Sequence, residues 1–268
     1  MNKKSFESGK EYTLADIFSG DNKIVIPDLQ RDYCWGGKSY DKENKLQELV
    51  PDFITSLIDL YKKNRQDKFT LGLIYGYEEP DFHIQLCDGQ QRITTLFLLL
   101  GMLNRKADGE FQKYLISDFK LTEDDEEPYL QYAIRESTLY FLSDLVYEFF
   151  LKKDLDLEKI KKQDWYFDEY NLDASIVSMI EALKQIKERL TIEIDLDFAD
   201  FGHFITNELQ MLYYDVGDRT QGEETFVVIN TTGEPLTATE NLKPKFINNL
   251  SVEKQQEASE LWEEWETF

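Results

Sequence analysis

The chain has 268 residues, 41% of them hydrophobic and 14% aromatic, which is enough to bury a core and excludes wholesale disorder. Its 30 basic and 53 acidic side chains leave a formal charge of −23, so phosphate backbones would be repelled from most of its surface; any DNA contact is expected to be local or made by another domain. Cys34 and Cys87 cannot build a disulfide framework, no apolar stretch follows the basic start, and the longest apolar run, at 93–103, falls short of the roughly 20 residues of a membrane span, so a cytoplasmic protein without membrane contact is expected.

The acidity is uneven. Residues 1–110 carry 15 basic and 18 acidic side chains, residues 111–268 carry 15 and 35. The shift near 106–110 predicts an α/β lobe over 1–110 and a mostly helical, acidic lobe over 111–268, packed as one unit. In chain order, the β-branched run 23–27 ends in proline and predicts a strand. Leu46, Leu49, Val50, Phe53, Leu57 and Leu60 predict a helix over 44–61, kinked at Pro51. Runs 69–77 and 82–87 predict a hairpin joined by Glu78-Glu79-Pro80-Asp81, followed by a helix over 90–103. Further on, 129–152 and 172–190 have helical spacing, 209–216 reads as a strand and 223–229 as a helix. The segment 230–235 is a loop and 239–250 a helix capped by Thr239. The acidic clusters at 123–127 and 193–200 are expected to face solvent. The last residues, 261–268, stop inside an amphipathic pattern, as expected of a fragment of something longer.

Three segments could carry chemistry. In 87–96 (CDGQQRITTL) a strand ends at Asp88, Gly89 permits a tight turn and a helix opens. A helix's first turn offers unpaired amide N–H groups and the positive end of its dipole, which suits an anion. Arg92 adds a permanently charged fork for phosphate, Asp88 could hold a metal–phosphate or orient a water, and Gln90 and Gln91 offer donors and acceptors. The same residues also describe an ordinary strand-to-helix corner capped by Asp88, and on the residues alone both readings stand. In 26–35 (IPDLQRDYCW) a strand ends in proline before Gln30-Arg31, with Tyr33 and Trp35 alternating behind. The guanidinium could hold phosphate while a ring stacks on a base; taken alone, the segment reads rather as an extended stretch with Tyr33 and Trp35 in the core and Arg31 at the surface, and the second Gln-Arg pair past a strand is what favours convergence. In 224–243, Asn230 and Lys243 flank a Thr-Thr-Gly turn and could approach a phosphate, or simply cap helices.

Other chemistries are excluded. The two histidines, His83 and His203, are 120 positions apart, and with two scattered cysteines they give no zinc spacing. No nucleophile elbow, P-loop or dinucleotide fingerprint occurs. His83 is expected to pack in a strand, and Cys87 to be a small buried hydrophobe.

In order and spacing, Ile26-Pro27 with Gln30-Arg31, Tyr33 and Trp35, then Asp88 to Leu96, then Phe226, Ile229-Asn230, Gly233, Leu236-Thr237 and Lys243 resemble the N-terminal domain of GmrSD-type restriction proteins. Tyr132, Arg135 and Ser137 also resemble that family's mid-domain segment. The resemblance covers nearly the whole chain. It implies an α+β fold: a small mixed sheet of ParB/sulfiredoxin type with helices, then a mostly helical lobe. It also implies nucleotide binding and hydrolysis at the Asp88–Arg92 corner, coupled to recognition or cleavage of modified or foreign DNA.

An HNH nuclease domain usually does the cutting in that family, and two remote histidines cannot supply one. The nuclease is therefore expected in a missing C-terminal domain or a partner. One departure is Asn230 to Gly233, where many relatives carry an arginine before the glycine.

The site expected from this has Asp88, Gln90, Gln91 and Arg92 as catalytic residues. Gln30, Arg31, Tyr33, Gly89, Thr94, Asn230 and Lys243 would bind the NTP and its phosphates, with Mg²⁺ or another divalent ion at Asp88. Two alternatives remain: a ParB-like sensor that binds nucleotide or modified DNA without turnover, or a metal-dependent nuclease in which Glu78, Asp81 or Glu224 joins Asp88.

Overall fold

Three parallel strands that end side by side organise the molecule. The structure, a computed structural model, describes residues 5–28, 30–40, 46–117 and 127–222. Its strands are β1 (Lys10–Thr13), β2 (Lys23–Ile26), β3 (Ser39–Tyr40), β4 (Leu46–Gln47), β5 (Phe69–Glu78), β6 (His83–Asp88), β7 (Leu130–Tyr132) and β8 (Leu209–Asp215). Its α-helices are α1 (Leu14–Ile17), α2 (Leu49–Lys63), α3 (Gln90–Lys106), α4 (Glu136–Asp144), α5 (Ala174–Ile192) and α6 (Phe198–Asn207).

Six strands form one mixed sheet in the order β1-β8-β5-β6-β2-β7, and β3 and β4 pair separately. The architecture is α+β. The β5–β6 hairpin is antiparallel, whereas β2 is parallel to both β6 and β7. The carboxyl ends of β7, β2 and β6 therefore meet at one edge, the place where open α/β sheets present their loops to ligands. Strands β7 and β8 come from beyond residue 110 and still take places in this sheet, so residues 1–110 do not build it alone.

Helix α3 is buried on nearly every side, from Ile93 to Asn104. That all-round burial explains why 93–103 reads as one apolar run without a polar face. It packs on α5, on α6 and on the π-helical turn Leu145–Phe150 that continues α4. At its far end Arg105 donates to the carbonyls of Phe149, Lys152, Lys153 and Leu155, closing the end of that π-helical segment.

Several expectations are corrected. Helix α2 starts at Leu49, not residue 44, so Pro51 falls in its first turn, where a missing N–H removes no helical bond and no kink arises. Segment 129–152 is not one helix: Leu130–Tyr132 forms the edge strand β7, whose three residues are too few to reveal a two-residue period. Glu127 does not simply face solvent but pairs with the fully buried Lys23. In 193–200, Glu193 binds Lys62 and Arg189, Asp197 caps α6, and Asp200 accepts from Tyr61 and Arg65. Asp195 and Asp197 are exposed as expected, so this cluster faces solvent while Glu193, Asp197 and Asp200 also serve the fold. His83 is half-buried, its Nδ1 3.0 Å from the carbonyl of Asp81, while Cys87 is buried as expected. A short helical stretch, 219–222, follows an Asp218 side chain that accepts from Gln221 N at 3.0 Å; the helices expected over 223–229 and 239–250 and the loop over 230–235 lie outside the described residues.

Hydrogen bonds from Lys62, at 2.6 Å, and then from Arg189 hold the Glu193 carboxyl below the usual carboxylate range. A depressed folded-state pKa contributes stability that is complete above the unfolded-state value and is lost as pH falls through the folded one. Glu193→Gln should therefore destabilise the protein by about 0.5–1 kcal/mol at neutral pH and converge with wild type in acid, measured by urea unfolding from pH 7 to pH 3.

Candidate functional site

The two Gln-Arg segments meet. After β2, the loop 27–37 crosses the sheet edge; after β6, the chain turns at Gly89 into α3. Between them lies a cleft of about 110 Å³, lined by Gln30, Arg31 and Trp35 from the first loop and by Asp88 to Arg92 from the second. Gly89 is held at φ 90°, the left-handed region, and a Cβ there would sit 2.6 Å from Ile74 Cγ2, so this corner requires glycine on two counts. With glycine as N-cap, no side-chain cap bonds the start of α3, and no described residue claims its first amides, beside the cleft that Gln90 to Arg92 line.

The glutamines differ sharply. Gln91 is buried, and its Oε1 accepts from Cys34 N at 2.9 Å and Trp35 N at 3.3 Å while its Nε2 donates to the carbonyl of Asp32 at 2.8 Å. One carboxamide thus reads three backbone groups of the neighbouring loop. Gln30, also buried, donates from Nε2 to the carbonyl of Cys87 at 3.1 Å, tying the loop back to β6. Gln90 is just as buried, but its Oε1 has no hydrogen-bond partner among the described residues.

The arginines differ too. Arg31 is half-buried on the cleft wall and makes no ion pair among the described residues. Arg92 donates to the carbonyls of Leu71 at 2.8 Å and Leu73 at 2.6 Å, and its Nη2 lies 4.0 Å from Asp88 Oδ2. Two of its five N–H groups therefore serve β5, and the residue also lines the cleft.

Other expected residues lie elsewhere. Tyr33 is fully buried, and its ring is not open to stack on a base. Its hydroxyl lies 2.8 Å from Thr95 Oγ1, and because Thr95 gives its only hydroxyl proton to the carbonyl of Gln91, Tyr33 is the donor. Thr94 is fully buried against the Tyr132 hydroxyl, behind the cleft wall rather than in it. Burial pushes both phenols well above their ordinary pKa, which removes them as acids or bases near neutrality. The aromatic at the cleft is Trp35, packed edge-on against Phe53 at 5.4 Å. Asn230 and Lys243 lie outside the described residues, as does Glu224.

Among the described residues, Asp88 is the one carboxylate lining the cleft, and no group of three or more His, Cys, Asp or Glu able to hold an ion occurs. Glu78 and Asp81 do not approach it: they sit at the hairpin turn, and Glu78 pairs with Ile84, four positions or roughly 13 Å along β6 from Asp88. Glu78 is occupied by the backbone N–H groups of Ser5 and Phe82. A stand-alone metal centre is thus not formed by these residues. An ion that arrives on a polyphosphate fits better, because Mg²⁺ then needs only one or two carboxylates from the protein.

Sequence reasoning missed the support behind Arg31. The Asp32 carboxylate binds the Arg135 guanidinium and accepts from Ser175 Oγ at 2.8 Å. Arg135 also lies 3.7 Å from the buried Asp173, whose carboxylate caps α5 and accepts from Ser137 and Thr138. The signals available were the position of Asp32 directly after Arg31 and the resemblance at Tyr132, Arg135 and Ser137. With β7 taken for helix, nothing placed Arg135 beside the loop.

Gln91→Ala would leave the carbonyl of Asp32 and the amides of Cys34 and Trp35 without their partner. The expected loss is about 2 kcal/mol in chemical denaturation, with faster amide exchange at residues 32–35. A loss below about 0.5 kcal/mol would mean water replaces the carboxamide at no penalty.

The family profile of the GmrSD restriction endonuclease N-terminal domain matches residues 14–247 of this chain. No curated protein matches it. The matched span contains every cleft residue named above and all six strands of the main sheet except β1.

Proposed function

Since the chain belongs to the GmrSD restriction endonuclease N-terminal domain family, and so to a restriction-type defence protein, we propose that its cleft binds and hydrolyses a nucleoside triphosphate in the cytoplasm. The observation that carries this reading is the convergence of Arg31, free of any ion pair among the described residues, with the uncapped N-terminus of α3. Phosphoryl transfer asks a protein mainly for positioning and positive charge, and these groups offer both. Arg31 and the first amides of α3 hold the phosphates, and Arg92 adds its unclaimed N–H groups. Trp35 offers the ring on which a base can stack. Asp88 would hold Mg²⁺ brought in on the phosphates, an ion that neutralises part of their charge when bound. Turnover is coupled to recognition or cleavage of modified or foreign DNA by an HNH nuclease domain or partner. A chain of charge −23 leaves DNA contact to that component or to a local patch.

The test is phosphate release from ATP, GTP, CTP and UTP with Mg²⁺. Arg31→Ala is expected to lower kcat/KM roughly 10- to 100-fold, and Asp88→Asn to lower kcat roughly 100-fold. Absence of release from every nucleotide, by this chain and by a full-length relative, would falsify the reading.

A second reading has its own support: among the described residues the cleft holds one carboxylate and no histidine, which suffices for holding a polyphosphate without cleaving it. That ParB-like sensor would show nucleotide binding by calorimetry with no turnover.

A further inference from the structure

Resting on the nucleotide reading above, the contrast between the two adjacent glutamines assigns them different work: we propose that Gln91 positions the site, whereas Gln90 is a catalytic residue that holds the attacking water. Gln90 is 4% exposed, lines the cleft, and keeps a buried Oε1 with no donor to satisfy it. A buried, unpaired acceptor carries a standing penalty, and native proteins retain few of them. Gln91, one residue on, has both ends of its carboxamide engaged by the loop after β2. Turning Gln91 would break three hydrogen bonds. Turning the Gln90 carboxamide into the cleft gives up none through Oε1 and relieves the penalty as soon as a donor arrives.

The triphosphate chain that would lie beside Gln90 brings acceptors only, and the cleft's arginines are engaged by it. Water supplies what is missing. With Asp88 two residues away on the same corner, Oε1 accepts one proton of a water and the Asp88 carboxylate accepts the other. The water oxygen's lone pair forms the new bond to the γ-phosphorus. The bond from that phosphorus to the β,γ-bridging oxygen breaks, and its electron pair leaves with the nucleoside diphosphate. The water's proton passes to an oxygen of the departing phosphoryl group and leaves with the inorganic phosphate, Asp88 accepting a hydrogen bond from the water through the oxygen it does not give to Mg²⁺. Arg31 and the α3 amides balance the charge that builds on the bridging oxygen.

The experiment compares the chain with its Gln90→Ala and Gln90→Glu variants. It reads steady-state turnover of the preferred triphosphate, calorimetric binding of its non-hydrolysable β,γ-imido analogue, and thermal melting. Gln90→Ala should lose at least 30-fold in kcat, bind the analogue within threefold of wild type, and melt at the same temperature or higher, because an orphaned acceptor has been removed. Gln90→Glu keeps an acceptor oxygen and should recover part of the lost kcat. Unchanged kcat in Gln90→Ala, analogue binding weakened as much as turnover, or a melting temperature lowered by several degrees would each overturn the assignment. A wild-type chain that hydrolyses no triphosphate sinks the nucleotide reading and this inference together. A wild-type chain that turns over while Gln90→Ala keeps pace with it sinks this inference alone.

Discussion

The carboxamide of Gln91 is the interaction on which the cleft depends. By itself Gln30-Arg31 is a polar loop after a proline, with no secondary structure to hold it. Gln91 bonds the backbone of Asp32, Cys34 and Trp35, and so registers that loop against the first turn of α3. From the other side α5 grips the same loop: Ser175 Oγ accepts from Tyr33 N, Ser178 Oγ from Gly36 N, and Gln185 donates to the Gly36 carbonyl. A side chain held by three backbone bonds has little rotational freedom left to lose when a ligand arrives, which is the physical content of preorganisation.

Charge sets the second constraint. In a chain of −23, a site for a polyanion must be local, and the cleft brings two arginines and a helix N-terminus to one carboxylate. The Asp32–Arg135–Asp173 cluster behind it serves the same end differently. Asp32 and Asp173 share Arg135, which leaves Arg31 without a carboxylate partner from the residue beside it. No helix of the described residues is long and apolar enough to cross a membrane.

The sequence was most readable where one residue type admits few backbones. Gly89 after a short strand-like run and before an apolar stretch announced the strand-to-helix corner, and both hairpin strands came within a residue or two of their observed ends. It was least readable where tertiary partners decide. Leu130–Tyr132 is strand only because β2 offers it an edge, and without that strand Arg135 could not be set beside Asp32. Tyr33 and Trp35 look alike as alternating aromatics, yet one points into the core and the other to the cleft, a distinction that depends on where Thr95 lies. Gln90 and Gln91 are likewise identical letters whose difference arises from a loop 57 positions earlier in the chain.

Arg92 has an effect beyond the cleft. Leu71 and Leu73 lie in the part of β5 that still runs beside β8 but has passed Asp88, where β6 has already turned into α3, so on the β6 side no strand of the described residues continues the sheet. The guanidinium stands in for the missing strand and shields an open sheet border from other chains. Insolubility of a protein altered at residue 92 would thus report self-association through that bared border, a colloidal fault separate from any defect in chemistry.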